Sequence, residues 1–276
     1  MSGLWLPLPE QLPDSLTALR EAAGQPDPHH ESPESVSDPR HADYDVYFGV
    51  VRASRAPAHT LVRALRSTAA EAGWTAPATE PALRAVLTAC GLSGHRAACA
   101  EGPSTDPLVR WKAGHRLFFA LIQTVVVALR DATAGRAPES HPAPTGTRTA
   151  AILLRACADA MHHTASFTPD VYDTVVRPSM EPPAHRTEGF SGLWSADHQA
   201  LVRQLRTWGT VHARACGHDC PPHQALSAAL NEVHTAHRGI CARFVGHGPS
   251  LLGGADALSV LDRLRGTRRR LLRHTI

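Results

Sequence analysis

Apolar residues recur at intervals of three and four along most of the chain, which is the spacing of one face of an α-helix. The segments with this spacing are bounded by N-cap residues, prolines and glycines, as helix ends usually are. No segment alternates apolar and polar residues over the length of a strand. The pattern therefore predicts an all-α chain with helices over residues 15–23, 60–72, 81–90, 107–134, 147–166, 169–177, 195–209 and 221–245, and a last helix after Gly253 and Gly254.

The first part of the chain differs from the rest in composition. We expect residues 1–56 to form an N-terminal arm with one short helix, capped by Asp14 and ended by Gly24. A Pro- and His-rich segment over residues 25–41 follows, and its composition is typical of a mobile region. Residues 57–276 are predicted to form a single helical domain, because no interior break is long enough to separate two cores.

The composition narrows the range of chemistry. The chain has 276 residues with 28 Lys and Arg against 25 Asp and Glu, and its net charge of +3 is too small to predict a nucleic-acid partner. Lys112 is the only lysine, so Schiff-base and pyridoxal chemistry would depend on that residue alone. Glycine-rich phosphate-binding motifs are absent from the sequence. The 18 His residues are a high number for this length, and His is the commonest metal ligand.

The start of the chain and its apolar stretches favour a cytoplasmic location. The first ten residues lack the basic segment and apolar core of a signal peptide. The longest apolar stretch, residues 117–129, has 13 residues, whereas a bilayer crossing needs roughly 20. The six Cys residues are expected to be reduced thiols and not a disulfide framework.

One predicted helix carries three potential metal ligands on the same face. His234, His237 and Cys241 are separated by three and four residues, so they lie about one turn apart. A neutral imidazole can ligate a metal ion, and a Cys one turn away from a haem ligand could bond a vinyl group of the porphyrin. Taken alone, such a triplet is more often part of a buried helix face than of a haem site.

A second group of potential ligands lies in a short segment before that helix. It consists of His212, Cys216, His218, Cys220 and His223. These residues define an alternative from another functional class, a zinc- or haem-binding regulatory protein. The segment lacks the second Cys or His pair that closes a tetrahedral site, so a His-rich loop is the favoured interpretation.

Six arginines crowd the last helix, at Arg263, Arg265, Arg268, Arg269, Arg270 and Arg273. We expect a solvated face of an amphipathic helix here and not a nucleic-acid surface, because the rest of the chain is not basic. One or two of these side chains could instead pair with an acidic cofactor edge.

Four patches resemble, in the same order, segments of the tryptophan and indoleamine 2,3-dioxygenases. The patches are residues 167–178, 190–199, 237–246 and 252–267. In that family the corresponding segments are a substrate-binding helix, a loop of the distal pocket, the helix that ligates haem and a glycine loop beside the haem. The resemblance implies a single helical domain of this type around a buried haem, within residues 57–276.

Two departures from the dioxygenases point to a sister group, the haem-dependent tyrosine and methyltyrosine hydroxylases of actinobacteria. That group has the pattern His-xn-His-x-x-x-Cys, which His198, His237 and Cys241 match. The resemblance implies that His237 is the axial ligand of the iron and that Cys241 forms one thioether to the haem. It also implies that His198 is the distal acid–base, with His115 on the long apolar helix as the alternative.

The resemblance extends to the residues around the haem and the substrate. It implies that Ser191 assists catalysis by hydrogen bonding to the phenol or to the bound oxygen species. Further cofactor contacts are expected from Arg243, Gly253 and Gly254. Substrate contacts are expected from Arg177, which would bind a carboxylate, and from Tyr172, Phe190 and Trp194.

The activity implied by the resemblance is that of a haem-dependent peroxygenase. It would hydroxylate L-tyrosine ortho to the phenol with hydrogen peroxide, giving L-DOPA, in antibiotic or other secondary-metabolite biosynthesis. The expected partner is this small amino acid, with no nucleic acid and no membrane; homo-oligomerisation stays open. The alternative on the same fold is an indole-opening 2,3-dioxygenase, against which Cys241 and His198 argue.

Overall fold

The structure is a computed structural model of the chain. It describes residues 3–26, 32–74, 80–92, 104–134, 144–184, 189–215, 220–246, 248 and 256–272.

Helices make up most of the described chain, and the prediction of an all-α fold is confirmed. The helices are α1 (Leu16–Gly24), α2 (Pro39–Phe48), α3 (Pro57–Glu71), α4 (Glu80–Cys90), α5 (Pro107–Thr133), α6 (Pro144–Thr164), α7 (Pro169–Val171), α8 (Ala196–Ala215), α9 (Pro221–Phe244) and α10 (Ala257–Leu272). The three-residue α7 continues as a π-helix over Tyr172–Val176 and a 3-10 helix over Arg177–Met180. Further 3-10 turns lie at Pro9–Gln11 and Gly192–Trp194.

The long helix α5 forms the centre of the fold. Its N-cap is Asp106, whose carboxylate accepts hydrogen bonds from the backbone N–H groups of Leu108 and Val109 at 2.8 and 3.2 Å. Helices α3, α6 and α8 pack around it. By length and composition α5 is the one helix of the described chain that could span a membrane, yet 83% of its most apolar window is buried inside the protein, as in a core helix.

A small sheet, which the sequence pattern did not predict, lies at the N-terminus. Its strands are β1 (Leu4–Pro7), β2 (Pro33–Glu34) and β3 (Val50–Ala53), in the order β1-β3-β2. Strand β1 runs parallel to β3, with Leu4 opposite Val50, and β2 runs antiparallel to β3. Two to four residues are too few to show a period of two, so these strands leave no readable pattern.

The N-terminal 56 residues share the core of the helical domain. Leu6, Leu16 and Phe48 are almost completely buried in the same apolar cluster as the residues of α5. Helix α1 begins at Leu16, one residue later than predicted. Its N-cap is Ser15 and not Asp14, because the side chain of Ser15 accepts the hydrogen bond from the backbone N–H of Ala18. The division of the chain at residue 57 stays a prediction.

Helix α8 continues beyond Gly209, where the sequence predicts its end. A Cβ atom at this position would lie 2.1 Å from the carbonyl oxygen of Leu271 in α10. The glycine therefore allows the backbones of α8 and α10 to approach each other, and it does not terminate a helix.

A buried ion cluster joins the sheet to the helices. The guanidinium of Arg52 in β3 donates to Asp45 at 2.7 Å and to Asp197 at 2.9 Å, and the three side chains are at most 7% exposed. Gln123 of α5 donates to the same carboxylate of Asp197 at 2.7 Å and to the backbone oxygen of Pro7 at 2.8 Å. Burial alone would lower the pKa of Arg52, but the two carboxylates raise it well above its ordinary value. The cluster thus fixes the start of α8 against β1, β3 and α5.

Replacement of Arg52 by Ala should strongly destabilise the fold. It leaves two carboxylates buried without their cation, which typically costs about 3–5 kcal/mol. The free energy of unfolding, measured by urea titration, should fall by this amount. The matched control is Arg155→Ala, which breaks the exposed pair of Arg155 with Glu232 and should cost at most about 1 kcal/mol. Equal losses for the two variants would contradict the role assigned to the cluster.

Candidate active site

A cavity of about 320 Å³ lies between α5, α6, α8, α9 and α10. Aromatic and aliphatic side chains form most of its wall, and none of the described residues that line it is Asp or Glu. The polar side chains on the wall are those of Tyr44, Trp111, His115, Thr164, Tyr172, Ser191, Ser195, His198, His234, His237, Cys241 and Arg268. An apolar cavity with a few convergent polar groups is the usual form of a small-molecule site.

Helix α9 presents the predicted triplet to this cavity. His234, His237 and Cys241 all line the wall, in agreement with their spacing of about one turn. His237 belongs to the cavity wall, and no described residue hydrogen-bonds to its ring. The Nε2 atom of His234 is buried and also has no hydrogen-bond partner among the described residues. The imidazole rings of His234 and His237 therefore each have a nitrogen atom that forms no hydrogen bond with a described residue.

The surroundings keep these imidazoles neutral. Burial, and after it the charge of Arg268, lowers the pKa of His234 and of His237 to about 4. Burial also raises the pKa of Cys241 to about 11, so this residue is a protonated thiol at neutral pH. A neutral imidazole is the form that can donate a lone pair to a metal ion.

His198 lies in the first turn of α8, and its ring is held at both nitrogen atoms. Its backbone N–H donates to the hydroxyl of Ser195 at 3.2 Å, and its Nδ1–H donates to the carbonyl oxygen of Gly192 at 3.2 Å. The guanidinium of Arg268 donates to its Nε2 atom at 2.6 Å. These partners require the neutral tautomer with the proton on Nδ1. Burial, followed by Arg268, lowers the pKa of His198 to about 4.

His115, the alternative distal residue, has the same tautomer on the other side of the cavity. Its Nδ1–H donates to the carbonyl oxygen of Trp111 at 2.8 Å. Its ring stacks on Phe48, with ring centres 4.6 Å apart and planes 16° from parallel. Burial is the main cause that lowers the pKa of His115 to about 4. The structure thus brings His198 and His115 to one cavity, and the choice between them stays open.

Aromatic rings cover the wall next to these imidazoles. Phe190 stacks on Tyr44 at 5.1 Å, and Tyr172 stacks on Phe244 at 4.7 Å with almost parallel planes. Ser191 caps the short 3-10 helix by accepting a hydrogen bond from the backbone of Leu193 at 3.2 Å. Three of the predicted substrate and catalytic residues, Tyr172, Phe190 and Ser191, therefore line the cavity.

Other residues assigned to the site from the sequence do not line the cavity. Arg177 forms an ion pair with Glu181, with a distance of 3.0 Å between Nε and Oε1. Trp194 is buried behind Phe190. Arg243 is exposed, donates to the carbonyl oxygen of Ala165 and lies over the ring of Phe244 at 4.4 Å. The roles of these three residues stay predictions without support from their positions.

Gly253 and Gly254 lie outside the described residues. The same holds for Cys216 and His218 of the alternative zinc group. In that group Cys220 lies 3.1 Å from His212, measured from Sγ to Nε2. The described part of the chain contains no cluster of three or more potential metal ligands.

Arg268 is the functional candidate that the sequence analysis did not single out. It is 8% exposed and lines the cavity, although it belongs to a run of arginines that was expected to face solvent. A signal was present in the spacing, because Leu261, Leu264 and Arg268 lie on one face of α10. Tyr44 and Phe48 of α2 also line the cavity. They were not expected there, because the sequence pattern did not predict α2.

The tautomers of His115 and His198 can be checked by titration. In the ligand-free protein both rings should stay neutral, with the proton on Nδ1, until the pH falls to about 4. Because an unfolded His takes up its proton near pH 6.5, these residues should reduce stability as the pH falls from about 6.5 to 4. Ring 15N chemical shifts in histidine-labelled protein, assigned with His115→Gln and His198→Gln, measure both properties. A midpoint near pH 6.5 would contradict the assignment.

Comparison with known proteins identifies the family of the chain. The family model described as SfmD 3-methyl-L-tyrosine peroxygenase matches residues 6–236, a stretch that includes His198 and ends one residue before His237. A 3-methyl-L-tyrosine peroxygenase from Streptomyces lavendulae is 31% identical over 176 residues, which cover 59% of this chain and 46% of the relative. The chain thus spans about half the length of the curated relative it matches.

A solved structure has the same fold. The crystal structure of reduced SfmD, obtained by soaking with sodium hydrosulfite, has a TM-score of 0.62 and 22% sequence identity to this chain. The match covers 87% of this chain and 98% of that one. The resemblance inferred from the sequence is therefore confirmed at the level of the family. Since the family model matches most of the chain, this protein belongs to the SfmD 3-methyl-L-tyrosine peroxygenase family.

Proposed function

We propose that this protein is a haem-dependent peroxygenase that hydroxylates the aromatic ring of a tyrosine-type amino acid. The observation that carries the proposal is His237, a neutral imidazole with no described hydrogen-bond partner on the wall of an apolar cavity. Membership of a peroxygenase family supports the reaction type. The overall reaction consumes one hydrogen peroxide and gives the phenolic product with an added hydroxyl group and one water.

The residues of α9 fit a bound haem. His237 would ligate the iron, and the apolar wall around it would cover the faces of the porphyrin. Bound there, haem would supply an iron centre that activates hydrogen peroxide for oxygen transfer. Cys241 lies one turn further along the helix and is a protonated thiol. Its S–H can add across a vinyl C=C bond, with the hydrogen passing to carbon, so a single thioether forms without an added oxidant.

A neutral imidazole supplies the proton transfer that peroxide cleavage needs. It takes a proton from one oxygen of hydrogen peroxide and returns it to the other oxygen, which leaves as water. His198 and His115 both have the proton on Nδ1, so Nε2 is their basic atom. We assign this role to His198, with His115 as the alternative. In the ligand-free protein the single lone pair of His198 Nε2 accepts a hydrogen bond from Arg268, so this bond must break before Nε2 can take up a proton from peroxide.

The aromatic wall fits a phenolic amino acid. Phe190 and Tyr172 can stack on a ring of this size, and the hydroxyl of Ser191 can hydrogen-bond to the phenol. The sequence predicts L-tyrosine as the substrate and L-DOPA as the product, whereas the named relative is a 3-methyl-L-tyrosine peroxygenase. Both amino acids share the phenol and the amino-acid group, so we assign the substrate to this class and compare the two directly.

Haem attachment is the first test. His237→Ala should abolish the haem absorption band near 400 nm or change its axial-ligand signature, while His234→Ala should retain it. The intact mass of the active protein should exceed that of the apoprotein by one haem, and Cys241→Ser should remove this difference but keep the haem. Loss of haem in His234→Ala alone would move the ligand to His234. An unmodified mass in active protein would exclude the thioether.

Turnover is the second test. Purified holoprotein with hydrogen peroxide should convert L-tyrosine or 3-methyl-L-tyrosine to a catechol, detected by mass spectrometry. His198→Ala should lower the rate by about 10²–10⁴-fold, the usual effect of losing a general acid–base, and should leave the haem bound.

The possible contrary results are distinct. Full activity in His198→Ala together with loss in His115→Ala would transfer the acid–base role to His115. Ring opening of L-tryptophan with O₂, and no catechol from either phenolic amino acid, would overturn the proposal in favour of the dioxygenase.

A further inference from the structure

We propose that Arg268 is the carboxylate-binding residue of this cavity, a role that the sequence resemblance gives to Arg177. The proposal rests on the proposed function only in its choice of ligand, a phenolic amino acid or the propionate of a haem. The positions of the two arginines differ: Arg268 lines the cavity wall, and Arg177 does not.

The charge of Arg268 has no counter-charge among the described residues. The part of the cavity wall that the structure describes has no Asp or Glu, and none of the described carboxylates forms an ion pair with this guanidinium. Two other arginines of the described chain are equally buried, and both have a counter-charge: Arg52 pairs with two carboxylates, and Arg116 pairs with Glu71. A buried cation is costly without a partner, so a cavity of this kind favours an anionic ligand.

The hydrogen-bonding capacity of Arg268 is largely unused. A guanidinium has five N–H donors, and among the described residues only Nε2 of His198 accepts one of them. That acceptor is neutral, because burial and Arg268 itself keep the ring of His198 unprotonated. The remaining donors match the two oxygens of a carboxylate, which an arginine can bind through two parallel hydrogen bonds.

The neighbours of Arg268 on the same helix are already engaged or exposed. Arg265 donates to the side-chain oxygen of Asn231, and Arg269 is exposed to solvent. Asp262 pairs with Arg238 of α9 at 3.0 Å. Of the described arginines of α10, Arg268 alone belongs to the cavity wall.

The position of Arg268 also suits an aromatic amino acid. It lies beside His198, on a wall that consists mostly of rings such as Phe190 and of aliphatic residues. A ligand whose carboxylate binds Arg268 can pack its aromatic ring against this wall. The charged group then contacts a cation, and the apolar ring contacts apolar side chains. Arg177 cannot serve equally, because Glu181 already occupies its Nε donor.

The test compares ligand pairs that differ only in charge. For the substrate, calorimetry measures the dissociation constants of 3-(4-hydroxyphenyl)propanoate and its uncharged amide in the protein as purified. For the cofactor, the dissociation constants of haem and of haem dimethyl ester are measured by reconstitution of the apoprotein. The Cys241→Ser variant is used for this purpose, because without the thioether the haem can be removed and replaced. Arg268→Gln should weaken the charged member of at least one pair by about 10- to 100-fold and leave the uncharged member unchanged.

Two variants control for structural damage. Arg269→Gln removes an exposed charge from the same helix and should change neither pair by more than about twofold. Arg268→Lys keeps the charge but not the planar donor pair, so it should restore part of the preference for the charged ligand. Both controls keep the result interpretable if Arg268→Gln unfolds.

The outcome separates the two sources of the carboxylate. A selective effect on the first pair identifies the substrate, and one on the second pair identifies the haem propionate; either supports the proposal. Equal effects on charged and uncharged ligands, or no effect on either pair, would overturn it. A charge preference that depends on Arg268, in a protein without turnover, would refute the proposed function and leave this inference intact.

Discussion

The buried guanidinium of Arg52 determines the position of a catalytic candidate through the residue next to it. It binds Asp45 and Asp197 in the interior, and Asp197 directly precedes His198 in the first turn of α8. Because a buried carboxylate is strongly destabilised without its cation, this turn has few alternative positions. The small N-terminal sheet is therefore part of the support of the cavity, although none of its strands contributes a residue to the wall.

The charged side chains of the Arg52 cluster and those of the cavity wall lie in different places. The described carboxylates that pair with buried arginines do not line the cavity, and the described residues of its wall include one arginine and no acid. Burial and this positive charge act in the same direction on the imidazoles, and they keep His198, His234 and His237 unprotonated. A site for a metal-bound cofactor and for proton transfer from peroxide needs neutral imidazoles of this kind.

The sequence predicted the features that depend on local spacing. Most helices other than α2 were recognised from their periodicity, and the spacing of His234, His237 and Cys241 was enough to place them on one face. Features that depend on distant contacts were missed. Arg52 and Asp197 are 145 residues apart, and Gly209 was interpreted as a helix end because the approach of Leu271 cannot be read from the sequence. Arg268 was obscured by the exposed arginines around it.

The cavity wall combines residues from both ends of the chain, from Tyr44 in α2 to Arg268 in α10. These two residues are more than 200 positions apart in the sequence. Contacts between such distant residues form slowly in folding, because the entropy of closing a long loop must be overcome before the contact stabilises the chain. The enclosing wall should therefore be completed later than the local helical contacts around α5, and a molecule that needs the whole wall for binding should be held only by the fully folded chain.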